Sequence, residues 1–277
     1  MMITIAMWHY PQRTTIENVH YFAKQGLSIL SLLGDQLESA CKEDGGAALA
    51  EALRQNHITV TVHSRLPRNH TPEEVAKFHT RIELFAAWQA TYGYILNLTF
   101  DVPQAIRDNI TPYIDETLAT VLNCKIGVED FGLTEAEYAQ IAHLKGNDRF
   151  GYLLDFGHLY IRMNGKYTGH ETLFHNSPNE CPPTDAPTQA DFLRALRSKP
   201  FPIIECHIHN NDGVRDLHQF LPCGTMNMEA VAQAMKAFGF SGVMTIESAP
   251  NCVFTCPYDE ADRRIMEDVA IWGKLYR

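Results

Sequence analysis

Short runs of aliphatic and β-branched residues alternate with longer amphipathic stretches along the whole chain, the pattern of repeated strand–helix units around a parallel sheet. Eight runs read as strands: ITIAM (3–7), LSILSL (27–32), ITVTVH (58–63), YILNLT (94–99), IGVE (126–129), YLLD (152–155), IIECHI (203–208) and VMTIE (243–247). The third helix is the best marked, with a capping box of Thr71 and Glu74, Pro72 at its first position and an apolar stripe to about Ala90. Pro112 predicts a break or kink in the fourth helical segment. The pattern predicts one α/β domain over residues 1–277, a single (β/α)8 TIM barrel.

Alternate side chains of a strand point to opposite faces, so polarity can be assigned to a side. In the seventh strand Ile204, Cys206 and Ile208 take one face and Glu205, His207 and His209 the other. In the third, Ile58, Val60 and Val62 oppose Thr59, Thr61 and His63. Glu129, Asp155 and Glu247 fall on the same inward side at the ends of their strands. A polar interior toward the C-terminal strand ends is where this architecture places its chemistry. The longest connection, 159–187, is rich in Gly, Asn, His and Pro and reads as a lid over that end, against the plainer reading of a mobile insertion.

Composition narrows the picture modestly. A chain of 277 residues with 45% apolar and 20% charged positions can bury one sizeable core, and its net charge of −10 argues weakly against nucleic acid or anionic lipid as a partner. No basic segment precedes an apolar run at the start, and no stretch approaches the ~18 apolar residues of a membrane span, so a cytoplasmic location is expected. Seven cysteines (41, 124, 181, 206, 223, 252 and 256), odd in number and without a CxxC pair, predict reduced thiols; Cys252 and Cys256 are read as incidental. Nothing in the pattern specifies an oligomer.

Glu129, Asp155, His207 and Glu247 bring three carboxylates and one imidazole to strand ends that the fold makes converge. Such a group repels itself unless a cation is bound, and its oxygen-rich donors with one nitrogen suit Mn²⁺, Fe²⁺ or Zn²⁺. His158, three residues past Asp155, and the pair Asp216 and His218 after the seventh strand form a possible second metal or substrate-binding set, against the plainer reading of a solvated loop. His63, His209 and Arg215 are further pocket candidates, and Trp8, His9 and Tyr10 follow the first strand as pocket lining or packing.

The segment HIHNNDGVRDLHQFLPCG (207–224), with LLDFGH (153–158), GVED (127–130) and TIES (245–248), resembles the xylose isomerase-like barrel superfamily of sugar and sugar-phosphate isomerases and epimerases, which also contains endonuclease IV. The resemblance implies Glu129, Asp155, His207 and Glu247 as ligands of a divalent metal, one ion or two, with Glu129 and Glu247 as the catalytic acid/base pair. The reaction so implied is proton transfer alpha to the carbonyl of a small sugar or sugar phosphate. Similarity to endonuclease IV extends to His158, Asp216, His218 and His63, and implies the alternative of metal-dependent phosphodiester hydrolysis at abasic DNA sites. That enzyme's strand-four histidine falls near Asn97, with Asp101 as a substitute expected to sit too far along the loop. Another reaction on the same barrel, such as a dehydration, stands as a third reading.

Overall fold

The computed structural model describes residues 2–7, 13–130, 134–166, 183–249 and 258–277. Eight strands alternate with helices: β1 Met2–Ile5, α1 Thr15–Lys24, β2 Ile29–Leu33, α2 Gly34–Asp44, α3 Ala47–Asn56, β3 Thr59–Arg65, α4 Pro72–Tyr92, β4 Ile95–Asp101, α5 Thr111–Thr120 and β5 Lys125–Glu129. There follow α6 Glu135–Ile141, β6 Phe150–Asp155, α7 Phe156–Asn164, α8 Gln189–Arg197, β7 Ile203–Ile208, α9 Met228–Phe238, β8 Val243–Ile246 and α10 Tyr258–Leu275. The strands form one sheet in the order β1-β8-β7-β6-β5-β4-β3-β2. Met2–Ile5 pairs in parallel with Val243–Ile246, and Ala6 just beyond β1 bridges Ser31 of β2. This is the cyclic strand order of a (β/α)8 barrel. All eight strands lie within about two residues of where periodicity puts them.

By internal contacts the chain divides into two compact units. The first comprises Met1–Ile5, Asp130–Thr134 and Leu154–Arg277; the second comprises Ala6–Glu129 and Glu135–Leu153. In the first unit the helix-facing residues Ile204, Cys206 and Ile208 are buried, and so are Glu205, His207 and His209 on the opposite face. Burial of both faces is the rule for a parallel sheet. The inward polar residues therefore need partners, and Thr245 Oγ1 donates to Glu205 Oε1 at 2.7 Å. In the second unit Val60, Val62, Leu98 and Phe100 are fully buried, each side chain contributing roughly 1.5–3 kcal/mol of apolar transfer.

Three local expectations change. The Thr71 capping box is half formed: Thr71 Oγ1 accepts from Glu74 N, but Thr71 N donates to Asn69 Oδ1 and Glu74 Oε2 accepts from Arg68 N. Pro112 breaks the segment without kinking a helix, since α5 begins at Thr111 and the proline sits in its first turn, where no N–H is needed. The expected loop 159–187 does not begin at Leu159, because residues 159–164 complete the buried helix α7, which ends at Gly165 with φ 70°. Asp155 explains the difference: its Oδ1 accepts from His158 N at 2.8 Å and starts a helix where the polar composition downstream had suggested loop. Residues 167–182 of that connection, together with Trp8, His9, Tyr10, Cys252 and Cys256, lie outside the described residues. Among the described residues no helix is long and apolar enough to cross a membrane.

Candidate metal centre

In the first unit Asp155 ends β6, His207 lies one residue before the end of β7, and Glu247 follows β8 directly. All three are at least 95% buried. His207 Nδ1 lies 2.8 Å from Glu247 Oε2 and 3.8 Å from Asp155 Oδ2. One donor atom from each can be chosen so that all lie within 4.8 Å of one another. Burial alone would raise both carboxylates. At Asp155 the charges of His158, His209 and His207 outweigh it and hold the group well below the usual range. At Glu247 burial is likewise overcome, by His207 and His218, against an opposing push from Asp155.

A second set adjoins this one in the same unit: His158, His209, Asp216 and His218 also offer donor atoms within 4.8 Å of one another. His158 Nε2 is 3.1 Å from Asp216 Oδ2, His218 Nε2 is 3.3 Å from Asp216 Oδ1, and His209 Nε2 is 3.0 Å from Asp155 Oδ1. The His209 and His218 rings stack at 3.9 Å. Burial would strip the proton from His218, but Asp216, Glu247 and Asp155 push its pKa up to about 10. Asp216 is held well below its usual value, its burial outweighed by His158 and His218. The carboxylates thus demand positive charge, and a divalent ion coordinated by neutral rings meets the same demand as protons on those rings. This donor chemistry fits a metal.

Local sequence explains how loops hold these rings. Gly157 is required because a Cβ there would collide with the His209 ring. After β7 the chain turns back on itself: Asn210 and Gln219 exchange backbone hydrogen bonds, and the Asn210 amide donates to Leu221 O and Met226 O. His218 sits in the left-handed region at φ 45°, its carbonyl fixed by Ala249 N and its Nδ1 3.1 Å from Glu247 O. A conformation that costs ~1–2 kcal/mol is thereby held by one bond to the backbone carbonyl and one to the ring.

The second unit carries a third donor set: His63, Asp101 and Glu129. A register shift between Val60 and Thr61 of β3 places Thr61 opposite Asn97, His63 opposite Thr99 and Arg65 opposite Asp101, so that polar faces match. His63 Nε2 is then 3.0 Å from Asp101 Oδ1 and 3.5 Å from Glu129 Oε2, and its Nδ1 is 3.1 Å from Thr99 Oγ1. Asp101 was expected to lie too far along the loop. Instead it is the last residue of β4, and the shift brings it within reach.

Of the sequence candidates, the structure brings Asp155, His207 and Glu247 together, gathers His158, Asp216 and His218 with His209, and places Glu129 with His63. Arg215 joins none of these sets. It lies on the surface, its guanidinium paired with Asp212 at 2.8 Å. Asp101 is the functional candidate that strand spacing undervalued; a polar residue two positions beyond Thr99 on one strand face was its only signal.

A model of the xylose isomerase-like TIM barrel matches residues 34–272. The chain belongs to that family. The chain is 25% identical over 165 residues to the uncharacterized protein MJ1311 of Methanocaldococcus jannaschii, a match spanning 56% of this chain and 48% of that protein. The chain thus aligns with about half the length of that relative. Its fold is similar to a D-psicose 3-epimerase crystallised with D-tagatose, from Clostridium cellulolyticum H10 (TM-score 0.68, 10% identity, 100% of both chains). It is equally similar to the IOLI protein with a bound zinc atom (TM-score 0.68, 15% identity, 100% of this chain and 99% of that one). At such identities these likenesses speak to the fold alone.

Proposed function

We propose that this protein is a divalent-metal-dependent isomerase or epimerase that moves a proton alpha to the carbonyl of a small sugar or sugar phosphate. The observation that carries the proposal is the meeting of buried Asp155, His207 and Glu247 at three strand ends of a xylose isomerase-like barrel. A structural likeness to a psicose 3-epimerase and to a zinc-bound barrel supports it. A bound Mn²⁺, Fe²⁺ or Zn²⁺ supplies polarisation of the substrate carbonyl, which acidifies the neighbouring C–H.

The chain's residues do the rest. Asp155, His207 and Glu247 hold the ion; Glu129 is assigned as the fourth ligand by the family resemblance. Glu247 Oε2 faces His207 at 2.8 Å, so its other oxygen, Oε1, is assigned to proton transfer. By the same family resemblance Glu129 is assigned the reverse transfer. His158, His209, Asp216 and His218 orient substrate hydroxyls or hold a second ion.

The test is solvent exchange. With Mn²⁺, Fe²⁺ or Zn²⁺ restored, free and phosphorylated ketopentoses and ketohexoses in D₂O should acquire deuterium at the carbon alpha to the carbonyl, and a chelator should stop it. Absence of exchange across the set would contradict the proposal. One observation favours a second reading, metal-assisted hydrolysis at abasic DNA: the separate donor set of His158, His209, Asp216 and His218. Failure to cleave an abasic duplex with Zn²⁺ or Mn²⁺ restored removes it.

A further inference from the structure

We propose that the cleft at the C-terminal end of β3 receives a phosphate monoester, gripped by Arg65 and Arg68, so that the substrate of this protein is a sugar phosphate. The inference rests on the sugar-isomerase reading and narrows its substrate class.

Two adjoining cavities of the second unit carry the argument. One, of about 190 Å³, is lined by His63 and Asp101 together with Asp35, Ser64, Arg65 and Arg81. The other, of about 220 Å³, shares Asp35, Arg65 and Arg81 and adds Arg68, Glu74 and Lys77. The polar cleft therefore leads from the His63 cluster to a group of cations. Arg65 stands two residues after His63 in β3, on the same face of the strand.

The cations are not equivalent. Arg81 is committed to the fold, with Nη2 2.7 Å from Asp35 Oδ1, Nε 2.7 Å from Glu38 Oε2 and Nη1 3.3 Å from Ser64 Oγ. Lys77 is taken up by Glu73 at 2.8 Å and Glu74 at 3.3 Å. Arg65 is different: its ion pair with Asp35 is 3.7 Å long, beyond hydrogen-bond range, and the side chain is 41% exposed. Arg68 is exposed; its backbone N–H goes to Glu74, and its guanidinium makes no hydrogen bond among the described residues. Two guanidinium forks with unspent donors thus border a cavity, in a chain whose net charge is −10.

Their spacing is fixed. Leu66 and Pro67 between them are buried, and Leu66 N donates to Asp101 O at 3.0 Å. Proline also locks one backbone angle of the linker. A pair of arginine forks held in this way matches a dianionic, tetrahedral phosphate, which accepts bidentate hydrogen bonds from each. It has no counterpart in a neutral sugar.

The test measures binding, without turnover, on the full metal-loaded chain by calorimetry. The probes are D-ribulose 5-phosphate, D-ribulose and inorganic phosphate. The sugar phosphate should bind at least about tenfold more tightly than either the free sugar or inorganic phosphate, and inorganic phosphate should compete with it. In the R65Q/R68Q double variant that advantage should vanish while affinity for D-ribulose and the melting temperature hold. R68Q alone, a surface change, should already lose several-fold. Equal binding of D-ribulose and its phosphate would overturn the proposal, as would an advantage that survives the double variant. Sugar phosphate binding no tighter than inorganic phosphate would also overturn it, since the cleft would then be only a free-anion site. If arginine-dependent binding appears without deuterium exchange on any sugar, the phosphate site stands and the isomerase reading falls. Exchange on unphosphorylated sugars alone does the opposite.

Discussion

The donor sets of the two units are built differently. In the first, Asp155, His207 and Glu247 are buried, with donor atoms within 4.8 Å of one another, and are backed by a second set of imidazoles. In the second, Glu129 is buried, but His63 and Asp101 open onto a cleft, with the Asp101 side chain 45% exposed. A wholly buried set of carboxylates and imidazoles is arranged to hold a cation, because any unbalanced charge there costs several kcal/mol. A set that is half exposed and continuous with a cavity is arranged to meet a ligand. The contrast predicts that changes in the first set act chiefly on metal content, and that changes at Asp101 act chiefly on ligand affinity.

The largest effect that would break this comparison is at Glu247. Glu247→Gln should lower turnover at least ~10³-fold and strip bound metal while the melting temperature in excess chelator stays near that of the parent; Asp101→Asn should leave metal content at the first-unit set intact and act mainly on substrate affinity. Metal analysis with steady-state kinetics reads both. If Asp101→Asn emptied the protein of metal as completely as Glu247→Gln, the division of labour would be wrong.

Gly157→Ala sharpens the first half. The added methyl occupies the space of the His209 ring, so the variant should lose ~1–3 kcal/mol of stability and weaken metal binding, as read by denaturant unfolding and metal titration. A variant as stable as the parent, with unchanged metal affinity, would show that His209 has room to spare.

An effect confined to acid pH concerns the support beneath Glu247. Asp268 of α10 is buried, accepts from Ser248 Oγ at 2.6 Å and Leu221 N at 3.1 Å, and is pushed by burial up to about 7. Its folded-state pKa lies above the unfolded value near 3.8, so the folded protein binds the extra proton between those limits. Its contribution is full below about pH 4, falls as pH rises toward 7 and is flat above, by an order of 2–4 kcal/mol. Asp268→Asn should flatten the pH dependence of unfolding free energy in that window. An unchanged slope between pH 4 and 7 would refute the assignment.

Much of this was legible in the sequence because strand parity is a strict period-two signal. It located all eight strands and put Glu129, Asp155, His207 and Glu247 at strand ends. Parity cannot see a register shift, and so Asp101, which the irregularity at Val60 and Thr61 brings to His63, was underrated. Nor does composition show that Asp155 both faces the site and caps α7, which is why Leu159–Asn164 was expected to be loop. The crowding of Gly157 against His209 joins residues 52 positions apart, and only tertiary structure reveals it. Arg65 and Arg68 give no signal in the sequence, because a pair of arginines at the end of a strand is ordinary until the fold sets their neighbours.

The central claim is that Asp155, His207 and Glu247 hold a divalent metal. Metal content of protein purified without chelator, measured side by side for the parent and Glu247→Gln, tests it most directly. The account predicts at least about one Mn, Fe or Zn per parent chain and a loss of about one equivalent in the folded variant. A parent free of metal that fails to take any up from added Mn²⁺, Fe²⁺ or Zn²⁺, or a variant that keeps the full complement, would contradict it.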